Sequence, residues 1–208
     1  MQHTRPNNYV IMEQQARERF LTYDQAEIIR KIPVKFDESY LYLPVLDTAC
    51  RVSRETGHVT WLKNGQWCPS PRQHDTLTVF DYLCDAAPDR SLSGEWRSHA
   101  ALGSHVHGNL TEKATPLETI IDQKPYQFIR VCQSLGGIPF PHCDIGFTLN
   151  LFPDLPITLQ FWHSDEEFPP QLRFLWDTNT TSYIRYETTY YALGLIQARL
   201  LTLMQAPT

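Results

Sequence analysis

The sequence predicts an α+β fold, in which helices pack on a mostly antiparallel sheet. Segments with period-two alternation of apolar residues cluster at 34–62 and 145–176, and the connections between neighbouring segments are short. Helical periodicity lies outside these clusters. Strands that follow one another through short turns pair as antiparallel neighbours, whereas a doubly wound α/β fold would alternate each strand with a helix.

Length and composition predict one cytoplasmic domain over residues 1–208. No Gly/Ser tract, charge block or internal repeat marks a linker. The net charge is −5 and no stripe of Lys and Arg is present, which argues against a nucleic-acid partner. No apolar run approaches the roughly 20 residues of a membrane span, so no membrane partner is expected. The five cysteines form no CxxC pair and no apolar leader follows Met1, as is typical of a reducing cytoplasm.

The N-terminal part predicts a broken helix followed by strands. The helical stripe over 9–31 consists of Tyr9, Met12, Ala16 and Phe20. A break is expected near Thr22, because Asp24 with Glu27 can form a capping box that starts a second helix. Alternating apolar residues then predict strands over 34–62, with hairpin turns at 55–57 and at Asn64-Gly65.

The C-terminal part predicts three more helices around a second group of strands. The helices are expected at 71–87, 116–135 with an interruption at Lys124-Pro125, and 181–204. Gly136 is expected to end the second of these in a left-handed conformation. The predicted core residues are Phe147, Leu149, Leu159, Phe161, Phe174, Tyr190, Leu193 and Leu200.

The most distinctive feature is the acidic loop 163–170, which joins two strands within 155–177. Asp165, Glu166 and Glu167 are consecutive, and two prolines follow them. Clustered carboxylates raise the pKa of at least one member, which suits a general acid, and their oxygens also suit a hard cation. The alternative is a solvated loop in which Phe168 plugs the core and the acids pair with arginines such as Arg97 or Arg173.

A second candidate site surrounds Glu95 and Trp96. One hypothesis makes Trp96, Trp162 and Trp176 the walls of an apolar pocket, with Glu95 and Asp165 at its mouth. The alternative is structural: Glu95 anchors the loop by accepting backbone N–H bonds, and Trp96 fills a gap in the core. Under either hypothesis the loop 93–96 is expected to lie against the acidic loop, with Trp96 and Phe168 in contact.

Histidine and cysteine supply two further candidates. His105 and His107 would share one face of an extended segment, so they are candidate metal ligands together with His99 and Glu95. The neighbouring glycines favour a loop without metal as the alternative. Cys143 stands beside His142 and Asp144, which suits a reactive thiolate, although a free cysteine is more often simply buried.

Three segments together resemble the DUF3786 family, a domain of unknown function. They are Phe80-Asp81-Tyr82-Leu83 followed by 92–96, then 135–137, and then 161–169 continued to 175–177. The resemblance implies anaerobic metabolism and a cofactor association, because family members occur mainly in anaerobic bacteria and archaea and some are fused to iron–sulfur modules. This chain carries no such cysteine module. A histidine at 99, where the family pattern has an aromatic residue, also argues against a family-wide metal site there.

Two functions are therefore expected as alternatives. The first is a cofactor- or small-molecule-binding accessory protein of anaerobic metabolism, which uses Glu95, Trp96, Trp162 and the acidic loop. The second is a carboxylate- or metal-assisted hydrolase-like enzyme that uses Asp165, Glu166 or Glu167 with a histidine. The first is favoured because no complete set of nucleophile, base and orienting group can be identified in the sequence. The sequence specifies neither a cofactor nor a catalytic residue.

Overall fold

The computed structural model describes residues 8–70, 72–103 and 116–206. Within these ranges the helices are α1 (Asn8–Thr22), α2 (Gln25–Lys31), α3 (Gln73–Asp85), α4 (His99–Leu102), α5 (Pro116–Gln123), α6 (Pro125–Ser134) and α7 (Tyr186–Gln205). The strands are β1 (Lys35–Phe36), β2 (Tyr40–Val45), β3 (Thr48–Ser53), β4 (Val59–Lys63), β5 (Gln66–Pro69), β6 (Trp96–Ser98), β7 (Ile138–Pro139), β8 (Ile145–Phe152), β9 (Leu155–Trp162) and β10 (Gln171–Asp177). This is the predicted α+β class with antiparallel pairing.

The strands form two five-stranded sheets, whereas the sequence suggested one. The first has the order β1-β2-β3-β4-β5 and the second the order β6-β10-β9-β8-β7. Short turns connect neighbouring strands within each sheet. One of them is Asn64-Gly65, which joins β4 to β5 and in which both residues have positive φ. Alternation along the chain defines strands and faces but not which strands share a sheet.

The contacts divide the chain into two compact units. Unit 1 comprises residues up to 91 together with 182–192, and unit 2 comprises 92–181 together with the residues from 193 onward. Helix α7 therefore begins in unit 1 and ends in unit 2. The expectation of a single domain remains a prediction.

Unit 1 contains the first sheet and helices α1 to α3. The buried face of the sheet carries Leu41, Leu43, Val45, Cys50, Val52, Val59 and Trp61. Asp24 caps α2 by accepting the N–H of Ala26, which confirms the predicted restart after Thr22. Helix α3 begins at Gln73, two residues later than expected; Pro71 lies outside the described residues. Helices α1 and α3 run parallel, because Tyr9 meets His74 at one end and Arg19 meets Asp85 at the other.

Unit 2 contains the second sheet, α4 to α6 and the C-terminal part of α7. One face of β8 and β9 is buried through Phe147, Leu149, Ile157, Leu159 and Phe161. Helix α6 covers this face, and the ring of Phe128 meets that of Phe161 at 6.3 Å. Gly136 ends this region of helix with φ of 74°, as predicted.

Most of the predicted core residues are buried, but Tyr190 is not. Its side chain is 51% exposed. The buried stripe at the start of α7 is formed instead by Thr188, Thr189 and Ala192. Tyr190 lies two residues from Thr188 and from Ala192, and two residues correspond to about 200° around a helix. Leu193 and Phe174 are only partly buried.

Candidate functional site

The predicted contact between loop 93–96 and the acidic loop is wrong. Strand β6 pairs with β10 so that Trp96 lies opposite Asp177. The acidic loop leads into the other end of β10, at Gln171. Six residues of strand separate these ends, which corresponds to about 20 Å. The structure therefore divides the predicted site residues into two groups, Glu95 with Trp96 and Trp162 with the acidic loop.

The prediction of a pocket walled by three tryptophans is also wrong. Because side chains alternate along a strand, Trp176 and Trp162 lie on different faces of the sheet. Trp176 lies opposite Ile157 and shares its buried face. Trp162 is five residues from Ile157 along β9, so it points to the other face. There the guanidinium of Arg173 lies 4.9 Å from its ring centroid. Trp96 is half-buried and packs edge-on against Phe140.

The acidic loop closes on its own backbone. The side chain of Asp165 accepts the N–H groups of Glu167 and Phe168 at 2.8 and 2.7 Å, and the Asp165 N–H donates to the Phe168 carbonyl. Phe168 is 58% exposed, so the expectation that it fills the core is wrong. The hairpin satisfies its polar groups locally and does not need a buried anchor. Arg97 pairs with Glu95 at 3.0 Å and not with these acids.

The first two residues of the acidic loop are held by Asp122 of α5. His163 Nδ1 lies 2.8 Å from Asp122 Oδ1, and the hydroxyl of Ser164 donates to Asp122 Oδ2 at 2.6 Å. These two bonds lower the pKa of Asp122, the one from Ser164 most strongly. The serine hydroxyl binds the carboxylate and not the imidazole, so the three side chains do not form a nucleophile with its base.

Asp177 is the partner that holds loop 93–96. It is 1% exposed and accepts the N–H groups of Ser93, Gly94 and Asn179 at 3.0, 2.7 and 2.8 Å. The Ser93 hydroxyl adds a fourth bond at 3.0 Å. Burial alone would raise the pKa of Asp177, but these donors outweigh burial and lower it. Asp177 thus forms a structural clasp around this loop, and it accepts the backbone N–H bonds that were expected of Glu95.

Among the described residues, the histidine and cysteine candidates form neither a metal site nor a reactive thiol. His105 and His107 lie outside the described residues. In the described ranges, no group of three or more His, Cys, Asp or Glu side chains could hold a metal ion. Burial lowers the pKa of His99 and raises that of Cys143, so the thiol of Cys143 is not activated. The five cysteines are free thiols, and burial raises the pKa of Cys84 and of Cys132 to about 12.

A cleft in unit 1, which the sequence did not indicate, is a further candidate site. It has a volume of about 170 Å³ and lies between α1 and α3, beside the residue that precedes α7. Its lining residues are Met12, Gln15, Ala16, Arg19, Leu77, Phe80, Asp81, Cys84 and Arg185. The spacing of three and four residues on both helices gives each helix one continuous face toward the cleft.

Two aspartates and two arginines form a charge cluster at this cleft. Asp81 accepts the backbone N–H of Arg185 at 2.8 Å and its Nε at 2.6 Å, and Nη2 of Arg185 also pairs with Asp81. Arg19 pairs with Asp85 through both Nη atoms, one of them at 2.9 Å. Asp85 also contacts Arg185 Nε at 3.2 Å. Asp81 and Asp85 are four residues apart on α3 and therefore share one face.

The two carboxyl groups titrate differently. Burial raises the pKa of Asp81, and a hydrogen bond with Asp85 raises it further, although Arg185 opposes the shift. Burial would also raise the pKa of Asp85, but hydrogen bonds with Arg19 and Asp81 outweigh burial and lower it. Burial and the neighbouring groups therefore shift the pKa values of the two carboxyl groups in opposite directions. Such a pair can act as an acid and a base toward a group in the cleft.

An aromatic stack lies one helical turn from the cleft, toward the N-termini of α1 and α3. The ring of His74 is parallel to that of Tyr191, with centroids 5.0 Å apart, and Tyr9 meets it edge-on at 4.1 Å. His74 is three residues before Leu77, and Tyr9 is three before Met12. The stack fixes α1, α3 and the start of α7 around the cleft.

A signal for Asp81 was present in the sequence. Leu77, Phe80 and Cys84 form an apolar stripe at helical spacing on α3, and Asp81 lies on that same face between Phe80 and Cys84. A carboxylate on an apolar helical face is rarely buried without a partner. That partner, Arg185, is 104 residues away along the chain, and no local pattern identifies it.

None of the helices in the described ranges combines the length and the apolar character that a membrane span requires. A family model described as a domain of unknown function (DUF3786) matches residues 24–199. The match includes Asp81, Asp177 and Arg185, whereas α1 with Arg19 precedes it. No curated protein and no solved structure matches the chain.

Proposed function

The chain belongs to the DUF3786 family of unknown function, and we propose that it binds a small molecule in the cleft between α1 and α3. This proposal keeps the predicted class of small-molecule or cofactor-binding accessory protein. It moves the site from Glu95, Trp96, Trp162 and the acidic loop to unit 1. The free thiols, three of them buried, are consistent with a reducing cytoplasm as the place of action.

The buried carboxyl of Asp81 is the observation that carries this proposal. Its side chain is fully buried and borders a cleft, and its partner Arg185 is 58% exposed. Burying a charged pair is costly, and replacement of such pairs by apolar residues is often neutral or stabilising by about 1–4 kcal/mol. Stability alone therefore does not account for the pair. Perturbed carboxyl groups that border a cleft are typical of functional sites.

The size of the cleft limits the ligand. A cavity of about 150 Å³ holds a molecule such as benzene, whereas drug-sized ligands occupy about 300–1,000 Å³. At about 170 Å³ the cleft encloses a fragment with the dimensions of a single ring. A nucleotide-sized cofactor would leave most of its surface outside. The proposal is thus a small metabolite, or one terminal group of a larger one.

Ala16→Phe tests the site without removing any charge. Ala16 lines the cleft, and a phenyl group there would occupy the volume proposed for the ligand. Saturation-transfer NMR with a mixture of single-ring and short-chain fragments should give ligands that bind the natural protein. We expect Ala16→Phe to weaken their binding about tenfold or more.

Val10→Phe is the matched control. Val10 is on α1, does not line the cleft, and is exposed. This variant should bind the same fragments as the natural protein. The proposal fails if no fragment binds the natural protein, or if Ala16→Phe and Val10→Phe bind the fragments equally well.

A further inference from the structure

The charges at the cleft are layered, with the arginines outside and the carboxyl groups inside. The side chains of Arg19 and Arg185 are 44% and 58% exposed, whereas those of Asp85 and Asp81 are 16% and 0% exposed. A ligand that enters from solvent therefore meets two guanidinium groups before it meets a carboxylate. At short range this order favours an anionic group over a cationic one.

Both arginines retain hydrogen-bond donors beyond those that face the aspartates. A guanidinium carries five N–H groups in a planar fork. Arg185 directs Nε and Nη2 at Asp81, and Arg19 directs Nη1 and Nη2 at Asp85. Among the described residues, these contacts leave at least the Nη1 group of Arg185 and the Nε–H group of Arg19 able to donate to another acceptor. Planar forks of this kind match a carboxylate.

The remaining wall of the cleft is apolar. Met12 on α1 faces Leu77 and Phe80 on α3 across the cleft. Phe80 and Leu77 are buried, whereas Met12 is 37% exposed and has the flexible side chain that adapts to different shapes. This wall would hold hydrocarbon and would give inorganic phosphate no favourable contact.

We propose that the cleft binds a small organic carboxylate, with its carboxylate against Arg19 and Arg185 and its hydrocarbon body against Met12, Leu77 and Phe80. This inference rests on the proposed function, because it names the ligand class of the same cleft. Acceptance of the anion needs no movement of the buried Asp81. Arg19 and Arg185 are binding residues in this arrangement, and Asp81 is a positioning residue that orients Arg185.

Matched probes of similar size test the ligand class. Benzoate, benzamide and benzyl alcohol each carry one ring, and only benzoate is charged at neutral pH. Titrations followed by ¹H–¹⁵N correlation spectra should give a Kd for benzoate about tenfold or more below that for benzamide. Inorganic phosphate should bind more weakly than benzoate. The benzoate preference should decrease as salt is added, because the guanidinium groups are exposed.

The double variant Asp81→Asn/Arg185→Gln tests the role of the arginine without leaving a buried charge unpaired. Removal of both partners preserves folding better than removal of one. We expect this variant to bind benzamide as before and to prefer benzoate less than about threefold. The preserved benzamide affinity separates loss of recognition from loss of the fold.

The outcomes distinguish the two proposals. If benzamide or benzyl alcohol binds as tightly as benzoate, the cleft is a binding site but the carboxylate inference is wrong. If the double variant keeps the full preference for benzoate, Arg185 does not recognise the anion and the inference is wrong. If neither the three ring probes nor any of the fragments shifts resonances of the cleft residues, the proposed function fails together with the carboxylate inference.

Discussion

Replacement of Asp177 by asparagine tests the clasp around loop 93–96. Asp177 Oδ1 accepts the Ser93 N–H, the Ser93 hydroxyl and the Asn179 N–H, while Oδ2 accepts the Gly94 N–H at 2.7 Å. Asparagine can keep the bonds to Oδ1, but its amide would face the Gly94 N–H, so that one bond is lost. Bonds to a charged group contribute about 1.5–3 kcal/mol and those to a neutral group about 0.5–1.5 kcal/mol.

From these values we expect Asp177→Asn to lower the free energy of unfolding of unit 2 by about 2–4 kcal/mol, because one charged bond is lost and three are weakened without full additivity. Urea denaturation followed by hydrogen–deuterium exchange of peptides from 92–98 and 171–180 would report this loss. Peptides from α1 and α3 report unit 1 separately. This separation matters because a chain of two compact units need not unfold in one transition.

Asp165→Asn is the matched control. Asp165 also accepts two backbone N–H bonds, at 2.8 and 2.7 Å, but it is exposed. Its replacement should cost no more than about 1 kcal/mol, since asparagine caps turns nearly as well as aspartate. A cost below about 1 kcal/mol for Asp177→Asn, or equal costs for the two variants, would show that burial of the carboxylate is not what holds the loop.

Three further predictions concern the core, one backbone conformation and pH. Phe161→Ala should cost about 3–5 kcal/mol in chemical denaturation because Phe161 is fully buried, whereas Phe168→Ala should stay within about 0.5 kcal/mol. Gly136→Ala should cost about 1–2 kcal/mol, since its φ is 74° and space around it is open, while Gly194→Ala within α7 should stabilise by about 0.5–1 kcal/mol. The lowered pKa of Asp177 stabilises the fold above the unfolded value of about 3.9. This contribution is lost as pH falls through the pKa of Asp177 in the folded chain. The free energy of unfolding, measured as pH is lowered, should therefore decrease less steeply for Asp177→Asn than for the natural protein.

Each of these predictions has an outcome that would contradict it. Similar costs for Phe161→Ala and Phe168→Ala would mean that the buried face of β9 was misassigned. A neutral Gly136→Ala would show that the left-handed conformation after α6 is not required. Parallel acid titrations of the natural protein and Asp177→Asn would show that Asp177 does not titrate differently in the folded chain.

Local patterns predicted the elements well because each depends on neighbouring residues. The capping aspartate at Asp24, the Asn64-Gly65 turn and the glycine stop at Gly136 act over a few residues of chain. The period-two runs at 145–151 and 155–162 became β8 and β9 with the expected buried faces. The long helix α7 was predicted with the wrong inward face at Tyr190, because small threonine and alanine side chains fill its buried stripe without giving an apolar signal.

The sites were predicted less well because they depend on pairings between distant residues. The sequence predicted that loop 93–96 lies against the acidic loop, whereas the sheet places these two loops at opposite ends of β10. The sequence does not give the register between β6 and β10. That register places Asp177, rather than the acidic loop, beside loop 93–96. A shift of one residue along a strand changes the face, and a shift of six changes the position by about 20 Å.

Composition and local pattern were enough to establish the α+β class and the positions of most helices and strands. These properties follow from burial periodicity and turn chemistry, which each segment carries within itself. The cleft beside Asp81 depends instead on a contact with Arg185, on the parallel arrangement of α1 and α3, and on the exposure of two guanidinium groups over two carboxyl groups. These three features form only when segments that are distant in the sequence come into contact in the folded chain. The free energy of burying a charged side chain depends on the partner that the tertiary structure places beside it.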